Sequence, residues 1–97
     1  MYVAALRVDL RIRNVHSLKE KRRIVKSVKA HLANTFEAAV AEVDHQELWQ
    51  RATLGVAVVV PQAGQADRIL HSVRRALDQR EEIEVLDTRT TCLEDSA

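Results

Sequence analysis

Apolar and charged residues alternate from Tyr2 to Ile12. Leu6, Val8, Leu10 and Ile12 interleave with Arg7, Asp9 and Arg11, which predicts a strand with one core face and one wet or charged face. Arg13, Asn14, Val15 and His16 read as a short turn. The period then lengthens. Over residues 17–32 Val25, Val28 and Leu32 recur at helical spacing, flanked by Leu18 and Ile24. Ser17 with Glu20 three residues on is a capping box for the start of that helix, which should end near Asn34.

Residues 38–44 predict a second, weakly patterned strand, with Ala39, Ala41 and Val43 on one side and Val40 and Glu42 on the other. A polar loop or single helical turn around Trp49 follows over residues 44–51. Residues 54–60, LGVAVVV, are apolar on both faces, as in a central strand buried on both sides or one whose outer face meets a partner. Pro61 stops it. Ala66, Ile69, Leu70, Val73, Ala76 and Leu77 stripe a second helix over residues 66–80. Residues 85–93 form the last strand, with Leu86, Thr88, Thr90 and Cys92 alternating against Val85, Asp87, Arg89 and Thr91.

The resulting order, βαββαβ, implies a ferredoxin-like α+β fold: a four-stranded antiparallel sheet with both helices on one face. Right-handed crossovers put the first and third strands in the centre. The other face of the sheet is left open, with Val59, Ala57 and Ala5 beside Arg7 and Asp9. A partly apolar open face points to a homodimer packed sheet to sheet or through an edge strand.

At 97 residues the chain should form one domain, residues 1–97, with 94–97 as a frayed tail. Net charge is only +1, but it is unevenly spread. Residues 1–35 hold nine Lys/Arg against two acids, a balance of +7, and residues 36–97 hold six Arg against twelve acids, a balance of −6. A basic end can steer toward phosphates, and an acidic end limits indiscriminate polyanion binding. With Cys92 as the one cysteine, no intramolecular disulfide forms, and a small core residue in a strand is expected there. No apolar run reaches membrane-spanning length, and the first residues turn charged too soon for a signal peptide, so a cytoplasmic protein away from membranes is expected.

Chemistry concentrates at two places. The first is the outer face of the first helix. Lys19, Arg22, Lys26 and Lys29 repeat at steps of three, four and three, and Arg23 sits beside them. Read functionally, these five contact phosphates in a salt-dependent, weakly sequence-specific way, with His16 and Arg13 extending the patch. The aromatic residues are Tyr2, Phe36 and Trp49, none in the third strand, which argues against single-strand recognition by stacking on the sheet.

The second is Glu42, Asp44, His45, Trp49 and Arg51. Glu42 and Asp44, two apart on a strand, are expected to share a face, with His45 following. As chemistry this is an acid–base cluster for a small hydrolase, or a loop that holds a partner or ligand. As plain structure, Asp44 caps a turn, Trp49 plugs the end of the core and Arg51 pairs with an acid. The spacing matches no standard metal site. His31 and His71, one on each helix, receive no role. Gly55 and Gly64 are the only glycines, so there is no phosphate-binding loop, and no cofactor is expected.

The stretches SLKEKRRIVKS (17–27) and AEVDHQELWQRATLGVAVV (41–59), with EVLD at 84–87, resemble the YlxP-like family of small bacterial proteins of unknown function. The likeness spans residues 2–93, most specifically in AEVDHQELWQRATLG. It implies a ferredoxin-like fold. Because genes of the family tend to lie among those for translation initiation and ribosome maturation, it also implies a role near RNA or the ribosome, and it supplies no catalytic residue. The leading expectation is therefore a non-enzymatic module whose partner is RNA or a ribosomal subunit. The alternatives are a homodimeric interaction or regulatory domain, and a hydrolase using Glu42, Asp44 and His45.

Overall fold

The structure is a computed structural model that describes residues 1–95. Its elements are β1 (Tyr2–Ile12), α1 (Leu18–Phe36), β2 (Ala39–Asp44), β3 (Arg51–Val60), α2 (Ala63–Asp78) and β4 (Ile83–Glu94). The four strands form one antiparallel sheet in the order β2-β3-β1-β4, as in a ferredoxin-like α+β fold.

The pleat decides where the core lies. Ala4, Leu6, Val8, Leu10 and Ile12 of β1 and Ala52, Leu54, Val56, Val58 and Val60 of β3 are all buried, and they join the buried stripes of both helices in one cluster. The alternate residues of both strands face the other way and form the open side of the sheet. Val59 lies there 66% exposed, and of the open-side residues of β3 only Thr53 is buried, so this central strand is covered fully on one face and only locally on the other.

The helix α1 begins at its N-cap Ser17 with one half of the capping box formed as expected, while the Glu20 carboxylate reaches one residue further back, to His16. Ser17 Oγ accepts the Glu20 backbone N–H at 3.1 Å, and Glu20 Oε2 accepts the N–H of His16 at 3.0 Å. It runs two residues past Asn34 and ends where Glu37 turns left-handed at φ 51°. Burying a Leu or Val side chain stabilises by roughly 1.5–3 kcal/mol, whereas like charges three or four residues apart cost about 0.5 kcal/mol or less. Val25, Val28 and Leu32 therefore hold the helix down despite its crowded basic face.

β4 differs from expectation at both ends. It runs through Glu94, which pairs with Tyr2, and the Asp95 N–H bonds to Met1 O at 2.9 Å. The expected tail is thus ordered through Asp95, and residues 96–97 lie outside the described residues. A register shift against Asp9 and Leu10 leaves Leu86 without a partner on β1 and breaks the expected alternation there. Cys92 pairs with buried Ala4, yet it is exposed. Its strand is the sheet edge, so pointing to the helix side does not bury it. No helix among the described residues is long and apolar enough to cross a membrane.

Candidate nucleic-acid interface

The six cations of α1 divide between two faces. Lys19, Arg22, Arg23 and Lys26 are exposed, and Lys29 is half-buried at the flank. None of these five forms an ion pair among the described residues. The acids best placed in sequence to shield them do not do so. Glu82 is held by Arg80, whose Nε lies 2.6 Å from Glu82 Oε1. Arg80 also reaches Ser27 Oγ at 3.0 Å and His31 Nδ1 at 3.4 Å, tying the end of α2 to the side of α1. Lys19, Glu20, Arg22, Arg23 and Lys26 line a shallow depression of about 410 Å³. Glu20 is the one acid in it, and its carboxylate is engaged by the His16 N–H.

The sixth cation, Lys21, is fully buried. Its position was legible: it precedes Val25, Val28 and Leu32 by four, seven and eleven residues, which puts it on the apolar stripe. Its ammonium group donates to Glu42 Oε2 at 2.6 Å, His45 O at 2.7 Å and Gln46 O at 3.3 Å. Three donors meet three acceptors, as a buried ammonium requires.

That contact rearranges the loop between β2 and β3. A register shift between Glu42 and Asp44 turns the two carboxylates to opposite sides, against the expected shared face. Glu42 goes inward to Lys21, while Asp44 lies 3.7 Å from Arg7 on the open face. Asp44 Oδ1 accepts the His45 N–H at 2.7 Å, so it does cap the turn, and His45 sits at φ 63°. The His45 Nδ1 is 3.9 Å from Asp44 Oδ1, and only the carbonyl of His45 meets the Glu42–Lys21 pair, at 2.7 Å from Lys21 Nζ. Glu42, Asp44 and His45 therefore do not converge as an acid–base set. No group of three or more metal-ligating side chains occurs among the described residues.

Two further expectations for the loop change. Trp49 is 49% exposed and does not plug the core. It lies instead with Glu47, Leu48, Gln50 and Arg51 around an open recess of about 510 Å³. Arg51 forms no ion pair among the described residues. It stands directly opposite Arg11 on the sheet, and its Nε is buried without a partner.

An open-faced antiparallel sheet, two helices on its other side and one helix presenting unpaired cations define a small ferredoxin-like α+β protein with a basic surface. Residues 3–90 match the family described as protein of unknown function (DUF503), and the chain belongs to it. It is 36% identical over 74 residues to the uncharacterized protein YlxP of Bacillus subtilis (strain 168), covering 76% of this chain and 80% of that one. The de novo designed protein Foldit4 superposes with a TM-score of 0.52 over 93% of this chain and 94% of the design, at 15% identity, a likeness of fold alone.

Proposed function

We propose that the chain is a non-enzymatic RNA- or ribosome-associated module of the cytoplasm that contacts phosphates through the outer face of α1. The observation that carries this reading is the division of α1: Lys21 is satisfied inside, while Lys19, Arg22, Arg23 and Lys26 on the outside and Lys29 at the flank have no ion-pair partners among the described residues. A row of uncompensated cations on a rigid helix suits a phosphate backbone and carries no base-reading geometry. The sheet offers no aromatic platform, so structured RNA fits better than a splayed single strand.

The test is binding to structured RNA and to small ribosomal subunits across a salt series. Wild-type protein should bind with a steep salt dependence. Arg22→Glu with Lys26→Glu should lose binding at moderate salt while the melting temperature stays unchanged. If wild type fails to bind at low salt, the face is a solvated helix surface and the proposal falls.

A second reading is favoured by Val59 and Leu93, each 66% exposed on the open side of the sheet. It makes the chain a homodimeric interaction domain using that side and the 44–51 loop. A monomer by sedimentation at high concentration would remove it.

A further inference from the structure

The two edges of the sheet are unlike. β2 is six residues long, loses its register after Glu42 and carries two carboxylates at its irregular end. Short length, charge and irregularity are the usual protections of an edge. β4, the other edge, also has a register shift, at Leu86, and four charged residues, Glu84, Asp87, Arg89 and Glu94, but it runs twelve residues and pairs with β1 alone among the described residues. It contains no proline and no lysine, and Thr88, Arg89, Thr90 and Thr91 form a run well suited to strand pairing.

Charge on this strand is poorly matched within the chain. Across β1 and β4, Arg89 stands directly opposite Arg7, and Asp87 stands directly opposite Asp9. Like charges in such positions repel. Neither Asp87 nor Arg89 has an ion-pair partner among the described residues. Asp9 at least receives the Thr53 hydroxyl at 2.7 Å, and Arg7 has Asp44 at 3.7 Å. Asp87 Oδ1 accepts the N–H of the adjacent Thr88 at 2.9 Å, so of the four only Arg89 has neither a hydrogen bond nor an ion pair among the described residues.

Asp87 and Arg89 flank Thr88 and share the open face. A second copy laid antiparallel along β4, with the two-fold axis through Thr88, places Asp87 of each copy opposite Arg89 of the other. Moving the axis to Arg89 sets arginine on arginine. Moving it to Thr90 sets Arg89 on Thr91 and Asp87 on Leu93. Among these registers, only the one centred on Thr88 neutralises both charges. α1 lies over the β2 side of the sheet, remote from β4, so the basic helix faces of both copies would stay uncovered.

We propose that the β4 edge is an interface for a second copy of this chain, joined antiparallel about Thr88 into one continuous eight-stranded sheet. The inference goes beyond the phosphate-binding reading. It shares its partner, though not its surface, with the open-face dimer.

Sedimentation velocity across a concentration series tests it, on wild type, Arg89→Asp and the swap Asp87→Arg with Arg89→Asp. Wild type should dimerise. Arg89→Asp sets carboxylate on carboxylate twice across the axis and should weaken the dimer by about tenfold or more. The same change faces Arg7 within the subunit, so the melting temperature of the monomer should not fall. Loss of dimer by misfolding is thereby distinguished. The double swap should restore dimerisation. Thr88→Cys in a Cys92→Ser background should cross-link two copies under mild oxidant faster than Thr90→Cys in the same background. A monomer at every concentration overturns this inference and the open-face dimer together. A dimer indifferent to Arg89→Asp, or one cross-linked equally well through either position, overturns this inference and leaves the open-face dimer standing.

Discussion

Lys21 Nζ lies 2.6 Å from Glu42 Oε2, joining the first turns of α1 to the end of β2 through a fully buried ammonium group. The carboxylate is the better hydrated partner, its side chain 17% exposed. Removing one member of such a pair strands the other. Lys21→Ala also leaves the carbonyls of His45 and Gln46 without their donor. It should destabilise the protein by about 3 kcal/mol, at the lower end of the range for broken buried pairs because water can reach Glu42. Lys21→Met with Glu42→Leu should cost clearly less than the sum of the two single changes. Urea denaturation of the three variants measures this, and additive losses would show that the two side chains do not act together.

Trp49 gives an independent check on the loop. An indole that closed the core would emit in the blue and its removal would open a large cavity. Being half exposed, Trp49 should emit at the red end of its range and be quenched readily by acrylamide. Trp49→Ala should change stability by about 0.5 kcal/mol or less, as expected for surface substitutions. A loss of several kcal/mol would mean that the ring is packed.

These two residues also show what the sequence could and could not disclose. Periodicity alone locates every strand and helix, because burial on one side of a sheet forces a period of two and burial along a helix forces 3.6. It fails where a residue type and its position disagree. Lys21 occupies an apolar-stripe position, and counting lysines as surface charge hides it among the helix cations. The opposed directions of Glu42 and Asp44 rest on a register shift that strand periodicity does not anticipate. Cys92 has the right parity for the core but sits on an edge, and edge position follows from strand order, not from local pattern. Four of the five residues of the basic face were legible as exposed because their spacing is helical and their neighbours impose the opposite face, while Lys29 lies half-buried at its flank.

Tyr2 and Glu94, paired across β1 and β4, share a titratable contact. The Tyr2 hydroxyl lies 3.2 Å from Glu94 Oε1, and this hydrogen bond, then the carboxylate's charge, raises the phenol above its usual value of 10.0. For an acid with a raised folded-state pKa, the favourable contribution is complete below the unfolded pKa and lost as pH climbs through the folded one. The contact should therefore stabilise β1–β4 pairing at neutral pH and fail only in the alkaline range. Ultraviolet titration of this sole tyrosine should give a midpoint above that of free tyrosine, and Glu94→Gln should bring it down. An unchanged midpoint in the variant would mean that Glu94 is not the cause.

Gly55 lies in the centre of β3, where its backbone needs no positive φ. A Cβ added there would meet Val43 Cγ1 at 3.3 Å, a tenth or two inside comfortable contact. Val43 belongs to the short edge strand and is half exposed, so it has room to turn away. Against that small cost stands the entropy that alanine removes from the unfolded chain, about 0.4–1 kcal/mol. The second effect should win or draw level. Gly55→Ala is expected to leave stability unchanged or raise it by up to about 0.5 kcal/mol, and Val43→Ala should release what crowding remains. A loss above about 1 kcal/mol in Gly55→Ala that Val43→Ala recovers would show the opposite: that β2 is held too firmly by Lys21 and Glu42 to yield.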